Sequence, residues 1–343
     1  MIRRARYLTL AMSTALCLSA VARPSFGQEP FYKGKTIRIV VGFEAGGGYD
    51  THSRLIARHM WKYIPGNSTV IIENMPGAGS LISANYGYRA ARPDGLTIVN
   101  FSGGLFLQQL LGKPGVEFES TKFEYVGAPA QGEFMVGLSK ATGITSVSQW
   151  MASGTSLKLG GSAPGASTDD IPKVLKATLG LPIQLVSGYK GTGPIRLAFH
   201  VGEIQGVCNS WDSFKATWRK ELETGEVVIV LQATVKPHPE VPNIPIAYDL
   251  AKTEEARKLI QAITRVHGVT NRPYALPPGT PKERVNILRK AFTDTMKDPD
   301  LLAEAKKANL DLNPLDGEEL EQNVHALFKL EPALVNRLKE ILK

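Results

Sequence analysis

The stretch Thr36–Asp50 reads TIRIVVGFEAGGGYD, and its reading decides the fold. An apolar, β-branched run (Ile37, Ile39, Val40, Val41) breaks into three successive glycines, Gly46 to Gly48, and Asp50 stands where a helix over 51–63 would begin. A buried strand that feeds a glycine loop and a helix N-terminus leaves unpaired backbone N–H groups at the carboxyl end of a sheet. An anion can be held there without a charged side chain.

Working outward, strand and helix patterns alternate. Apolar runs at 36–43, 69–73, 96–101 and 123–128 are separated by helical stretches at 51–63, 80–91 and 105–111. This predicts a parallel, doubly wound sheet with right-handed crossovers. A second set follows, with strands over 134–138, 156–159, 183–187, 203–208 and 227–231 and helices over 147–151, 167–179, 194–201 and 211–222. Residues 236–245, KPHPEVPNIP, hold four prolines and suit an extended crossover. Beyond it the pattern is helical only, at 254–267, 281–296, 301–308 and 318–342, with Thr280-Pro281-Lys282-Glu283 matching a capping box. Such a tail supplies no third sheet and is expected to pack back on the first domain. The expected class is α/β, with two lobes that are each a doubly wound, mainly parallel sheet flanked by helices. Lobe 1 would be 28–130 plus 237–343 and lobe 2 would be 131–236, with hinge crossings near 130 and 236.

Residues 1–27 read as a cleaved signal peptide: Arg3, Arg4 and Arg6 precede an apolar stretch, and cleavage after Ala22 or Gly27 fits. The product is then expected in the periplasm. Without the four arginines of that segment the net charge of +8 becomes +4. No basic cluster is interleaved with aromatics, so nucleic acid is not an expected partner. Cys208 is the one cysteine left, which excludes an intramolecular disulfide and suits a small core residue.

Six glycine-rich or polar turns fall at predicted strand C-termini: 46–50, 76–80 (PGAGS), 102–104, 162–170 (SAPGASTDD), 188–193 (GYKGTG) and 209–212 (NSWD). That edge is where doubly wound folds bind ligands, and it brings Ser102, Ser167 and Thr168 toward one crevice. Neither GxGxxG nor GxxxxGK[ST] is present, and GxSxG is absent too, so nucleotide binding and an α/β-hydrolase elbow are poorly supported. The six histidines show no metal-ligand spacing. No catalytic residue, metal or cofactor is expected. Asp50 with His52 is the one nearby acid–base pair an exported hydrolase or isomerase could use.

In order and spacing the loops resemble the solute-binding proteins of tripartite tricarboxylate transporters, the Bug family. The resemblance runs through AGGGYD (45–50), ENMPGAGS (73–80), PDGLT (93–97), GASTD (165–169), GYKG (188–191) and CNS (208–210), and covers the chain from about residue 30 onward. It implies a two-lobed, type II periplasmic-binding-protein-like receptor, monomeric, that captures a small organic carboxylate and delivers it to membrane permease subunits; a ligand-dependent partner of a membrane sensor kinase would use the same pocket. It further implies a ligand carboxylate on the backbone N–H groups of Gly47, Gly48, Tyr49 and Asp50 and of Ala78, Gly79 and Ser80. Tyr189 and Trp211 are the expected aromatic walls. Two positions depart from the family: Asp169 stands where it usually has His, and Asn209 where it usually has Asp. Asp169 either caps its helix, worth ~0.3–1 kcal/mol, or faces the cleft, in which case the far end of the ligand should be neutral or cationic.

Overall fold

A computed structural model describes residues 29–343, so the signal peptide expected over 1–27 lies outside the described residues. Strand β1 (Thr36–Val41) forms where expected because Ile37, Ile39, Val40 and Val41 are fully buried. It pairs in parallel with β2 (Thr69–Asn74) on one side and β3 (Thr97–Asn100) on the other. Between them run α1 (Gly48–Met60) and α2 (Leu81–Arg89), and after β3 come α3 (Gly104–Leu110) and β4 (Glu124–Ala128).

The second sheet is built from β5 (Phe134–Ser139), β6 (Leu157–Gly160), β7 (Ile183–Val186), β8 (Gly206–Ser210) and β9 (Val227–Ala233) in the order β7-β6-β8-β5-β9. Strands β6, β7 and β8 are parallel, whereas β5 lies antiparallel to both β8 and β9. The crossovers are α4 (Val147–Ser153), α5 (Ser167–Leu179), α6 (Thr192–His200), α7 (Trp211–Thr217) and α8 (Arg219–Glu223). Two mixed sheets flanked by helices result, as the α/β expectation required.

The C-terminal part departs from expectation. It is not purely helical: after α9 (Ala247–Leu250) and α10 (Glu254–Val269), the tripeptide Tyr274–Leu276 forms β10, inserted antiparallel between β3 and β4. Past α11 (Lys282–Thr295) and α12 (Pro299–Lys307), Leu315–Asp316 forms β11 on the outer edge of β4. The first sheet is therefore six strands in the order β11-β4-β10-β3-β1-β2. A three-residue strand flanked by Pro273 and Pro277 gives no periodic signal, and only pairing to β3 and β4 makes it a strand.

The single helix expected over 318–342 divides into α13 (Gly317–Leu327) and α14 (Pro332–Ile341), because Pro332 cannot continue a helix but suits a first turn. The capping box expected at Thr280 is not formed. The Thr280 hydroxyl donates to the Pro277 carbonyl at 2.8 Å, and α11 starts without a side-chain cap. A reciprocal box closes instead at Asp316 and Glu319, ahead of α13. Nor does the tail rest on the first sheet alone. Leu259, Ile260, Ile263 and Val266 of α10 share a buried cluster with Ile171, Val174 and Leu175 of α5, so α10 packs across both units.

Candidate functional site

The two sheets present their strand C-termini to each other, and the loops there are in direct contact. Glu44 N–H donates to Lys190 O at 3.0 Å, and Ser102 Oγ donates to Gly165 O at 2.7 Å. Between them lies a cavity of about 30 Å³, room for about two waters. Its walls include Gly47, Gly48 and Tyr49 from the first unit and Ser167, Thr168, Thr192 and Asn209 from the second.

Three helices open on this cavity with their N-termini. In α1 the first internal bond is Thr51 N–H to Gly47 O at 3.0 Å, so the N–H groups of Gly48, Tyr49 and Asp50 have no intrahelical acceptor. Gly47 caps it in an extended conformation (φ −95°, ψ 173°) with no side-chain bond. In α5 the N–H groups of Asp169 and Asp170 both reach Ala166 O at 3.0 Å, which leaves those of Ser167 and Thr168. Helix α6 adds Thr192 at its start. Aligned peptide dipoles make each such end partly positive. Among the described residues no acidic side chain lines the cavity.

The sequence-derived candidates separate into groups. Gly47, Gly48, Tyr49, Ser102, Ser167, Thr168 and Asn209 are brought to the cavity wall. Ala78, Gly79, Ser80 and Tyr189 line an adjoining cavity of about 190 Å³, with Phe43 and Ser162 bordering both. There Gly77, Ala78, Gly79 and Ser80 all take positive φ (140°, 47°, 61° and 75°), a strained run for Ala78 and Ser80. The run is a tight left-handed turn that places the backbone of Ala78, Gly79 and Ser80 on the wall of this cavity. The Tyr189 hydroxyl is turned to Glu203 (2.6 Å).

Three candidates sit elsewhere. The Asp50 side chain is a fastener: it accepts from Gly46 N–H (3.0 Å), Arg54 Nε (2.9 Å) and Asn74 Nδ2 (3.0 Å). Burial alone would raise its pKa, but these donors outweigh it and hold the carboxyl below its ordinary range. Asp169 is fully buried inside the second unit, bonded to Ser187 Oγ and Thr168 Oγ1 and lying under Gly161. It borders neither cavity, and burial pushes its pKa up to about 6. Trp211 donates from Nε1 to Glu240 at 2.7 Å and lines a separate cavity of about 580 Å³ beside the segments 130–133 and 233–240. It is therefore no wall of the cleft: its indole turns to Glu240 and shares a buried cluster with Met135, Val207 and Phe214.

Sequence reasoning missed a polar part of the wall that includes Ser213, Asn271 and Arg272. Arg272 is 2% exposed and pairs with Asp212 at 2.9 Å. Its Nη2 also donates to Ser210 Oγ at 3.1 Å, and its guanidinium lies 5.2 Å from the centre of the Tyr49 ring. Its φ of +53° is an outlier for so large a side chain. Burial raises the Asp212 pKa, but Arg272 and His52 overcome this and leave it lowered. His52 donates from Nδ1 to Gly48 O (2.8 Å), and its Nε2 lies 3.6 Å from Asp212. Burial first, then Arg272, holds it neutral, with a pKa lowered to about 4. Asp50 and His52 thus turn to different partners and form no acid–base pair. The one available signal was the Asn-Arg-Pro tripeptide (271–273), which reads as an ordinary turn until β10 buries it.

Two α/β units joined face to face around an inter-unit cavity define the architecture of periplasmic solute-binding proteins. No family model matches the chain. By sequence it is similar to a UPF0065 protein from the TAR-I ttuE-ttuC' intergenic region of Agrobacterium vitis, 29% identical over 237 residues. That match spans 67% of this chain and 66% of the relative's length. A UPF0065 protein from the gbd 5' region of Cupriavidus necator is 22% identical over 335 residues, 96% of this chain and 95% of its own. By structure the chain is similar to the periplasmic binding protein BugD (TM-score 0.74, 21% identity, 90% of this chain and 98% of that one). It is also similar to MatC from Rhodopseudomonas palustris with bound malate (TM-score 0.70, 21% identity, 90% and 99%). The fold is that of Bug-type binding proteins, and the resemblance read from the loops is borne out.

Proposed function

We propose that this chain is an exported solute-binding protein that captures a small organic carboxylate between two hinged lobes and delivers it to a tripartite tricarboxylate-type permease. The observation that carries this is the convergence of three helix N-termini on one buried cavity without an acidic side chain. The likeness to a malate-bound structure agrees with it. Lobe 1 is taken as 28–130 plus 237–343 and lobe 2 as 131–236, turning about the crossings near 130 and 236. The cavity is too small for any such acid, so entry requires the lobes to part, and closure then excludes water and strengthens each dipole contact. Charge-assisted hydrogen bonds return ~1.5–3 kcal/mol each. Three or four of them reach the ~8 kcal/mol of micromolar binding after ordering costs.

A binding role is favoured over turnover because neither Asp50 nor His52 borders the cavity. The experiment is mass-spectrometric identification of the acid that co-purifies from the native periplasm, followed by calorimetry with that acid. Conversion of the bound acid to a product, or no measurable affinity for any small carboxylate, would refute the proposal.

A further inference from the structure

Strand β2 (Thr69–Asn74) is the outermost strand of the first sheet and pairs with β1 alone. The N–H groups of Thr69 and of Met75, just beyond the strand, donate to Lys35 O (3.0 Å) and Val41 O (2.8 Å) on the β1 side. Backbone direction alternates along a strand, so Val70 and Ile72 turn their N–H and C=O groups away from the sheet. Among the described residues no strand meets them. Such an edge is a template for another strand, and proteins ordinarily blunt it with proline, lysine or a bulge. The sequence TVIIEN has neither proline nor lysine, and its register against β1 is unbroken. Its one charge, Glu73, is drawn to Arg38 of β1 at 3.0 Å.

Helix α1 packs beside this edge, and between the two runs a groove of about 830 Å³. Its walls are Arg54, Ala57 and Arg58 of α1, then Trp61, and the chain over 67–72. Trp61 and Ile71 are each 42% exposed, apolar surface of the kind that marks an interaction site. Ser68 is the reverse case: it is 3% exposed, and its Oγ has no hydrogen-bond partner among the described residues. A buried hydroxyl without a partner calls for one from outside the chain. Arg54 and Arg58 are the charged side chains on the groove wall; they pair with Asp50 and Glu304, but neither acid lines the groove. An occupant therefore meets positive charge, apolar surface and a row of free backbone groups. An extended acidic peptide satisfies all three.

We propose that the groove between α1 and the outer edge of β2 docks an extended acidic segment of a partner protein, which adds as a further strand to the first sheet. Main-chain bonds to Val70 and Ile72 hold it, its apolar side chains rest on Ala57 and Trp61, and its carboxylates meet Arg54 and Arg58. Every residue of the groove belongs to the first unit, so docking there does not depend on closure.

The test uses the whole mature chain and three fluorescein-labelled octapeptides: valine alternating with glutamate, valine alternating with lysine, and the glutamate peptide with proline at its two central positions. Fluorescence anisotropy should show the glutamate peptide binding about tenfold tighter, or more, than either control. Val70→Pro removes an outward donor that β1 does not use, and it should weaken the glutamate peptide about tenfold. Arg58→Glu changes an exposed side chain and should turn the preference toward the lysine peptide. Cooperative thermal unfolding of both variants shows that they fold. No binding of the glutamate peptide, equal binding of all three peptides, or unchanged affinity in both variants would overturn the docking edge. So would a wild-type dimer in sedimentation that Val70→Pro abolishes, because the edge would then pair with a second copy of the chain.

Discussion

Gly47 offers the sharpest separation of closure from folding. Its backbone (φ −95°, ψ 173°) is open to any residue, so alanine there carries no conformational strain. A Cβ would meet Thr192 Oγ1 at 2.8 Å and otherwise only Thr192 N at 3.6 Å and Gly193 N at 3.7 Å. All three atoms belong to the opposite unit, so the clash exists only when the units are closed. Overpacking of this sort costs about 1–3 kcal/mol, which converts to a roughly 5- to 150-fold loss of affinity. In the separated form the entropy gain of about 0.4–1 kcal/mol from replacing glycine is offset by the poorer capping of α1 by alanine, so unfolding stability should change little. The assay is calorimetric affinity for the native solute beside denaturant unfolding of the ligand-free protein, for Gly47→Ala, Thr192→Ala and the double variant. Removing Thr192 Oγ1 leaves an ordinary contact, so the double variant should recover most of what Gly47→Ala loses, with a coupling of about 1 kcal/mol or more. The reasoning is falsified if Gly47→Ala binds within twofold of wild type, or if the two substitutions act additively.

Two further predictions concern pH. Asp169 has its pKa raised from 3.8 to about 6 by burial, so the folded state keeps a proton that the unfolded state has lost; stability should fall as pH rises from about 4 to 6, by up to about 3 kcal/mol. Asp169→Asn should then be the more stable protein at about pH 8, with the gap closing near pH 4 and solute affinity little changed; a destabilised variant at both pH values would refute this. His52 is the opposite case, lowered from 6.5 to about 4, so stability should be lost as pH falls from about 6.5 toward 4. Urea unfolding of His52→Asn should show a flatter acid limb than wild type, whatever its stability at neutral pH. At the helix starts, Asp316→Ala should cost about 0.5–2 kcal/mol through loss of the capping box. Thr280→Val should cost less than that, because no cap is formed there; thermal unfolding of both variants compares them directly.

The strand-loop-helix units and their glycine turns were legible in the sequence because their signals are local. Periodicity marks Ile37 to Val41 as a buried strand, and Gly46 to Gly48 mark the turn that follows. Ser167–Leu179 is a helix with the bounds expected for it. Which residues face the cavity could be read only where backbone direction fixes it, as at Gly48 and Ser167. Side chains whose aim depends on partners far along the chain could not be placed. Asp169 reads as either a cleft acid or a cap and turned out to lie under Gly161, and Trp211 turns to Glu240 in a separate cavity.

The sequence by itself determined two α/β units with helix N-termini gathered at strand ends, since hydrophobic period and turn chemistry act within a dozen residues. The tertiary structure alone decided that Tyr274–Leu276 enters the first sheet between β3 and β4. That pairing carries Arg272 from a proline-flanked turn to the wall of the cavity, 2.9 Å from an aspartate 60 positions earlier. Such contacts arise from packing between segments remote in sequence, and no local pattern records them.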